Sequence, residues 1–466
     1  MPRRLLTTLL LAGAVVLAAA PAAQAERKLT TGFFDDAVFV ADAPGPWLDR
    51  TTALGGGLVR IGGVWPVRDR QNKPAGFDPR DPADPNYDFS RLDRAVIEAE
   101  QRGIIPLLSI TGAPEWAEGP GRPSDAPIGS WKPDPGEIRD LAFALATRYS
   151  GSFQGLPRVK YFQLWNEPNL PKHLSPQYED GAAFAPEHYR EMLHDFYGGV
   201  KRVNKSNVVV TAGTAPFGDF DRGRYDRMQP ARFLRVLLCL RGRSEIKTVE
   251  CDRPARFDRL SHHPYSAGSP QRSAPNPDDV SIADIGRLRR YLRFAEDNGR
   301  VHPQRRKLFW VTEVSYDSNP PDPDGVPERQ HAEWVAETMY ELWRREIGSI
   351  TWFRIRDSPA GDDGDFSRSN QSGMFLLDGT PKLSARAFRF PFVADRLGER
   401  RLRFWAKVPR DGTVRVQVRR GEAWETVLSE RVAEAGDVVD LRLRRGAGGT
   451  FRALVGDEES LSSSVE

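Results

Sequence analysis

The chain has 466 residues, of which 67 are basic and 64 are acidic, so its formal net charge is only +3. Both signs are mixed along the chain, as in LWRREIG and LRRYLRF, which excludes the basic patch of a nucleic-acid-binding protein. The length exceeds that of one small domain and is enough for a barrel-sized core with an appended module.

The first 25 residues have the pattern of a secretion signal. Two arginines form the charged start, an apolar run follows, and Ala-Gln-Ala at 23–25 matches a small-residue cleavage site. An uncleaved membrane anchor is the alternative, but the apolar run is short for a span and a proline follows it. We therefore expect a mature chain that begins at Glu26, is secreted to the extracellular space or the cell envelope, and has no membrane contact after cleavage.

Residues 26–390 show short β-rich runs that alternate with segments of helical spacing. Eight runs predict strands: KLTTGFF, GLVRIGG, IIPLLSI, VKYFQLWN, NVVVTAG, FDRLSHH, KLFWVTE and SITWFRI. The intervening pattern predicts helices in SRLDRAVIEAEQRG, EIRDLAFALATRY, PEHYREMLHDFYGGVKRVN, IADIGRLRRYLRFAEDNG and ERQHAEWVAETMYELWRRE. An α/β fold, a (β/α)8 TIM barrel, follows from this alternation. An open doubly wound sheet is the alternative, but it requires a glycine-rich phosphate turn after the first strand, and GFFDDAVF has none.

The pattern changes near Phe392 to alternating short strands: RLRFWAKV, TVRVQVRR, AWETVLSERV, VVDLRLRR and TFRALVG. Turn residues in RDG, RGE and GAGG separate them. This predicts a small C-terminal antiparallel β-sandwich module over residues 391–458, which we expect to pack on the barrel, with carbohydrate binding as the alternative role. Residues 459–466 have the composition of a flexible tail.

The two cysteines, Cys239 and Cys251, lie twelve positions apart. In an oxidising compartment they are expected to form a disulfide, with two free thiols as the alternative. Neither lies in a metal-ligand pattern, so no zinc site is predicted. DSNPPDPDGVPE fails as an EF-hand loop because Pro321 stands where an oxygen ligand is needed. GDDGDF is expected to be a solvated loop rather than a calcium site, and no metal or cofactor is predicted.

Polar side chains close several predicted strands, which is where the catalytic groups of such a barrel gather. In chain order they are Arg60, Asn166, Glu167, His262, His263, Tyr265 and Glu313, and Trp352 lies on strand eight. Each glutamate ends an apolar run rich in aromatic residues, YFQLW or LFWV. Glycosidic bond cleavage needs two such carboxyl groups, because one protonates the leaving oxygen while the other attacks or activates water.

These strand ends resemble clan A glycoside hydrolases, and LWNEPN is most similar to families 39 and 5. The resemblance covers about residues 28–390 and includes HPY at strand six and VTEVSYDS at strand seven. It implies a secreted retaining hydrolase that cleaves β-glycosidic bonds in a poly- or oligosaccharide by double displacement, with a carbohydrate as its partner. An exo-acting β-glycosidase such as a β-xylosidase is the alternative within this class, and a non-catalytic glycan-binding barrel is the alternative outside it.

Carried over residue by residue, the resemblance implies two catalytic carboxyl groups. Glu167 would be the general acid and then the base, with its pKa raised by apolar surroundings and by the second carboxylate. Glu313 would be the nucleophile, kept ionised by Arg60 and by a hydrogen bond from the Tyr265 hydroxyl. A bridge between barrel strands is the alternative role of Arg60.

The resemblance also implies side chains that bind the sugar. Asn166 would hold the 2-hydroxyl, and His263 would orient the nucleophile side or another sugar hydroxyl. Trp352 would form the floor of the subsite. Apart from the resemblance, the flat ring of Trp116 is expected to stack on a sugar. Ordinary core packing is the alternative for both tryptophans, and His262 is expected to be packed or exposed rather than functional.

Overall fold

The computed structural model describes residues 28–444 and 447–465. The predicted secretion signal, residues 1–25, lies outside the described residues. Among the described residues, no helix combines the length and the apolar composition that a membrane span needs.

Eight parallel strands form a closed barrel in which each strand pairs with the next and the last pairs with the first. They are β1 (Thr30–Phe34), β2 (Leu58–Val64), β3 (Ile105–Thr111), β4 (Tyr161–Leu164), β5 (Val208–Val210), β6 (Arg259–His262), β7 (Leu308–Val314) and β8 (Ile347–Phe353). Each overlaps a run that the sequence pattern predicts. The TIM-barrel prediction is confirmed.

Helices cover the outside of the barrel. In the described part of the chain they are α1 (Asp36–Phe39), α2 (Gly45–Ala53), α3 (Ser90–Glu100), α4 (Pro135–Arg148), α5 (Ala185–Val203), α6 (Pro230–Leu237), α7 (Gly286–Asp297), α8 (Glu328–Trp343) and α9 (Leu383–Arg389). The periodic pattern predicts α3, α4, α5, α7 and α8. It misses the other four, which have four to nine residues, because so short a helix does not establish the helical period.

The barrel interior is layered. Near the start of the strands an apolar layer fills it, formed by Leu58, Leu107, Val208, Val210 and Trp310 with Tyr161 against them. Two residues further along, side chains point to the same face of each strand, and there the interior is polar: Arg60, Ser109, Gln163 and Thr312 are all buried. The apolar layer closes the bottom of the barrel, and the polar layer supports whatever lies at its mouth.

The C-terminal region forms two antiparallel sheets from β9 (Phe392–Gly398), β10 (Arg401–Lys407), β11 (Gly412–Arg420), β12 (Ala423–Val432), β13 (Val438–Arg444), β14 (Gly449–Val455), β15 (Glu458–Glu459) and β16 (Ser463–Val465). One sheet has the order β9-β10-β13; the other has the order β12-β11-β14-β15, with β16 also on β14. Phe404 and Phe451 join the sheets with ring centroids 4.8 Å apart, and both sheets share one apolar core. The predicted sandwich is confirmed.

The predicted flexible tail is wrong for residues 459–465. Ser460 is 1% exposed, and β16 pairs with β14 along Gly449–Phe451. The polar composition conceals this order because serine hydroxyls replace missing backbone partners. Ser460 Oγ accepts a hydrogen bond from the Ala453 amide at 2.9 Å, and Ser463 Oγ accepts one from the Ala394 amide at 3.1 Å.

Trp405 of β10 joins the module to the barrel. Its side chain is fully buried and belongs to the apolar core of the barrel. Its ring centroid lies 5.8 Å from that of Tyr340 and 5.9 Å from that of Trp343, both on α8. The two units therefore share one continuous core at this contact.

Cys239 and Cys251 form the predicted disulfide, with their Cα atoms 6.1 Å apart. The bridge closes the loop that follows α6. A short ribbon lies inside that loop, formed by Leu240–Arg241 and Lys247–Thr248.

Candidate active site

Arg60 of β2 is a buried cation at the centre of the barrel mouth, only 1% exposed. Its Nη1 donates to Glu313 Oε2 at 3.0 Å, and its Nη2 donates to Asn166 Oδ1 at 2.8 Å and to Ser109 Oγ at 3.2 Å. The guanidinium also lies 4.2 Å above the Phe34 ring. A charge this deeply buried needs compensation, and Arg60 obtains it by bridging the strands and pairing with Glu313.

Glu313, near the end of β7, is 9% exposed and has a second donor. The Tyr265 hydroxyl donates to Glu313 Oε1 at 2.5 Å. Burial and the neighbouring Glu313 charge raise the pKa of Tyr265 far above its ordinary value, so its hydroxyl keeps its proton and remains a donor. Glu313 thus accepts a hydrogen bond at each of its two oxygens.

Glu167 follows β4 at a sharp turn of the backbone. Trp165 and Glu167 have φ angles of +73° and +36°, in the left-handed region that non-glycine residues rarely occupy. The Glu167 amide donates to the Gly213 carbonyl at 3.0 Å, and the Trp165 indole donates to the His173 carbonyl at 2.7 Å. These bonds stabilise the turn, and such strained residues cluster at functional sites.

The pKa of Glu167 is raised by burial, and nearby positive charge opposes the rise. Its Oε2 lies 3.8 Å from His173 Nε2 and 4.0 Å from Lys172 Nζ. Burial lowers the pKa of His173 to about 4, so this ring is neutral near pH 7. Lys172 is therefore the flexible cation that acts on the outer oxygen of Glu167, with Arg60 adding to it from inside the barrel.

His263 lies between the two carboxyl groups and is fully buried. Its Nδ1 is 3.2 Å from Glu167 Oε1 and 3.8 Å from Glu313 Oε2, and its Nε2 is 3.0 Å from Thr312 Oγ1. Burial lowers the pKa of His263 to about 3, so the ring is neutral. A Cβ at Gly213 would lie 2.1 Å from this ring, so the glycine makes room for it.

His262 has a structural place. It is fully buried, and its two ring nitrogens are bonded to Thr214 Oγ1 at 2.8 Å and to the Val280 carbonyl oxygen at 2.9 Å. With both nitrogens occupied, His262 anchors the loop after β6 and has none left for a ligand.

The nearest ligand atoms of Glu167, His263 and Glu313 all lie within 4.8 Å of one another. Among the described residues this is the one such cluster of His, Cys, Asp and Glu side chains that is close enough to hold a metal ion. Arg60 and Lys172 already place positive charge against it, which disfavours a metal cation. The arrangement suits proton transfer by one carboxyl group and attack by the other.

The prediction that Trp352 forms the floor of the site is wrong. The side chain is fully buried, and its indole donates to the Ser372 carbonyl at 2.7 Å. Its ring lies 6.4 Å from Tyr316 and 6.0 Å from His331 of α8, so it packs between the strand and the helical layer. A ligand at the barrel mouth has no access to it.

Phe353 is the aromatic side chain at the mouth of β8. Successive side chains of a strand point to opposite faces, and Phe353 is half-buried on the face opposite Trp352. Its ring centroid lies 5.3 Å from that of Phe34, the ring that supports Arg60. The resemblance pointed to the neighbouring tryptophan, whereas the structure turns the next residue, Phe353, toward the mouth.

Trp116 lies in a turn after β3 and is half-buried. Its indole donates to the Asp69 carbonyl at 3.1 Å, its ring centroid is 6.1 Å from that of Trp65, and Lys73 Nζ is 5.3 Å from it. None of these contacts joins Trp116 to the two carboxyl groups. Sugar stacking by Trp116 stays a prediction.

Asp36, just after β1, is a member of the site that sequence reasoning missed. Its Oδ1 accepts a hydrogen bond from the Gly62 amide at 2.8 Å, and a Cβ at Gly62 would lie 2.3 Å from its Oδ2. Burial raises the pKa of Asp36 to about 6, while the nearby charges of Arg60 and Glu313 act in opposite directions. The sequence does contain a pattern that indicates this residue: the two aspartates of GFFDD follow an apolar strand, as the two glutamates do.

No protein-family model matches the sequence, and neither does any curated protein. Solved structures share the fold. A family 39 glycoside hydrolase from the gut symbiont Bacteroides cellulosilyticus WH2 aligns with a TM-score of 0.53 at 17% identity, over 94% of this chain and 83% of its own. A glucosidase from Croceicoccus marinus aligns with a TM-score of 0.51 at 16% identity, over 90% of this chain and 94% of its own. At such identities the likeness establishes the fold alone.

Replacing Lys172 by methionine should raise the pKa of Glu167 further. The ammonium favours the carboxylate form, and its removal leaves the burial of Glu167 less opposed. Carbon NMR titration of the Glu167 carboxyl group, assigned with Glu167→Gln, measures the change. Lys132→Met is the matched control, because Lys132 pairs with Glu179 at 2.6 Å instead. An unchanged or lowered pKa of Glu167 in Lys172→Met would contradict this electrostatic role.

Proposed function

We propose that this protein is a secreted retaining glycoside hydrolase that cleaves β-glycosidic bonds in a poly- or oligosaccharide. The observation that supports this most is the distance of at most 4.8 Å between oxygens of Glu167 and Glu313. Retaining glycosidases hold their two carboxyl groups about 5–5.5 Å apart, whereas inverting enzymes leave about 6.5–9.5 Å for a water molecule. The short distance between these oxygens therefore favours the retaining arrangement.

Glu167 is the general acid in this proposal. Its raised pKa keeps a fraction protonated at higher pH than an exposed glutamate would be, as a proton donor to a leaving oxygen requires. After the leaving group departs, the ionised Glu167 takes a proton from the attacking water. Lys172, 4.0 Å away, stabilises this ionised form.

Glu313 is the nucleophile. Arg60 and Tyr265 each donate one hydrogen bond to it, so its carboxyl group is oriented before substrate binds. Its free electron pair forms a bond with the anomeric carbon as the bond to the leaving oxygen breaks, and Glu167 supplies the proton to that oxygen. Water then cleaves the glycosyl-enzyme ester, which restores Glu313 as a carboxylate.

Asn166 and Phe353 are the proposed contacts of the sugar in the cleaved subsite. Asn166 offers an amide hydrogen to the 2-hydroxyl, a bond that strengthens in the transition state. Phe353 offers a flat apolar surface to the C–H face of the ring. A barrel that only binds glycan would not need an acid of raised pKa facing a second carboxyl group that a cation and a phenol hold in place, so catalysis is the better account.

Secretion is part of the proposal and is supported by the disulfide, since such bonds persist in oxidising compartments. The exported protein should begin at Glu26. N-terminal sequencing of the exported chain checks this, with Ala25→Arg as a variant in which cleavage at this position should fail. Exported protein that still carries Met1 would contradict the cleavable signal.

Glu167→Ala should lose activity in a way that depends on the leaving group. We expect a loss of about 10²–10⁴-fold in kcat/KM for oligosaccharides and alkyl glycosides. The loss should be far smaller for dinitrophenyl glycosides, whose leaving oxygen needs little protonation. Because kcat/KM reports the first chemical step, slow deglycosylation does not obscure the comparison. Glu179→Ala, in the same loop, is the control, and equal losses on both substrate classes would exclude Glu167 as the acid.

The product should keep the anomeric configuration of the substrate. Proton NMR during the first minutes of hydrolysis should show the β-anomer before mutarotation sets in, because two successive displacements restore the configuration. Glu313→Gln, which should be nearly inactive, supplies the blank. If the α-anomer forms first, Glu313 does not attack the sugar.

A further inference from the structure

We propose that His173 is a positioning residue for catalysis: its neutral ring accepts a hydrogen bond from Asn166 and thereby orients the Asn166 amide toward the 2-hydroxyl of the substrate. The inference rests on the proposed function, because it concerns a sugar held in the same site. His173 itself touches neither the sugar nor the reacting atoms.

Arg60 determines which way round the Asn166 amide lies. A guanidinium has donors and no acceptor, so the Asn166 atom that lies 2.8 Å from Arg60 Nη2 is the carbonyl oxygen. The amide nitrogen is then the atom that lies 3.3 Å from His173 Nε2. An N–H group can donate only to an unprotonated ring nitrogen, so Nε2 is the acceptor and the ring proton is on Nδ1.

The charges around His173 keep this acceptor available. Burial lowers the pKa of His173 to about 4. The positive charges of Lys172 and Arg60 disfavour a further positive charge here, whereas Glu167 favours one. The balance leaves the ring neutral over the pH range in which Glu167 and Glu313 would work.

The loop Pro168–Gln177 holds the ring in place from its backbone. The His173 amide donates to the Leu170 carbonyl at 3.0 Å, and the His173 carbonyl accepts from the buried Trp165 indole at 2.7 Å. The side-chain amide of the fully buried Gln177 donates to the Pro168 carbonyl at 2.8 Å and to the Leu174 carbonyl at 2.7 Å. His173 is therefore presented by a segment with its own internal bonds.

One amide hydrogen of Asn166 remains for the substrate. The Asn166 oxygen is bonded to Arg60 and one amide hydrogen is bonded to His173. These two hydrogen bonds fix the plane of the amide, and the direction of the second amide hydrogen is thereby fixed as well. Without the His173 acceptor, the hydrogen bond from Arg60 is the one described side-chain contact that still orients the Asn166 amide. The amide plane can then turn while that hydrogen bond is kept. The hydrogen bond to the 2-hydroxyl then weakens where it matters most, in the transition state.

Pairs of aryl glycosides with and without the 2-hydroxyl test this role. 4-Nitrophenyl β-glucoside, β-xyloside and their 2-deoxy counterparts are assayed with the wild type, His173→Phe and His173→Gln. Phenylalanine fills the ring space without an acceptor, whereas glutamine keeps one. We expect His173→Phe to lose about 10-fold in kcat/KM on the 2-hydroxy substrate, mostly through kcat, and His173→Gln to lose much less. On the 2-deoxy substrate both variants should match the wild type.

Equal losses of His173→Phe on the two substrates, or no loss on either, would overturn the positioning role. A wild type that cleaves neither the hydroxy substrates nor natural β-linked oligosaccharides would instead overturn the proposed function. If His173→Phe does not fold, nitrogen NMR of the wild-type histidines decides the matter. The proposal requires an unprotonated Nε2 and a protonated Nδ1 at His173, and the opposite tautomer or a charged ring would refute it.

Discussion

The burial of the Arg60 charge is the constraint on which the site depends. A guanidinium withdrawn from water must be surrounded by acceptors, and the acceptors come from three other strand ends: Ser109, Asn166 and Glu313. The arrangement requires a strict register, because a shift of β2 by one residue would turn Arg60 toward the helices. The apolar layer two residues below fixes that register. The packing of the barrel floor therefore determines where the Arg60 charge lies at the mouth.

The site separates two chemically identical side chains by their surroundings. Glu313 receives hydrogen bonds from a cation and a phenol, which favour the carboxylate. Glu167 is buried beside the neutral rings of His173 and His263. The ammonium of Lys172, 4.0 Å away, opposes the rise in the pKa of Glu167 that burial causes. The two carboxyl groups therefore differ in their surroundings: burial raises the pKa of Glu167, whereas Glu313 is held by two hydrogen-bond donors.

Much of this could be predicted from sequence, and what could not has a physical reason. The eight barrel strands and both glutamates follow from apolar runs that end in polar residues. Phe353 was missed because the resemblance pointed to the tryptophan beside it, and alternation along a strand does not by itself reveal which face turns inward. His173 was missed because it lies in an irregular loop, and its importance arises from contacts with Asn166 that no spacing encodes. The order of the tail was missed because a serine that bonds the backbone cannot be distinguished, by composition alone, from a serine in a solvent-exposed linker.

Trp405 has a consequence for how this protein can evolve. The side chain belongs to the sandwich in sequence and to the barrel in space, where it contacts Tyr340 and Trp343 of α8. A recombination event that removed the sandwich would leave those two rings in water as an adhesive patch that favours self-association. The barrel therefore cannot be separated from the sandwich without exposing apolar surface. A different module at this position would require compensating substitutions on α8. We therefore expect the barrel and the sandwich to be inherited together.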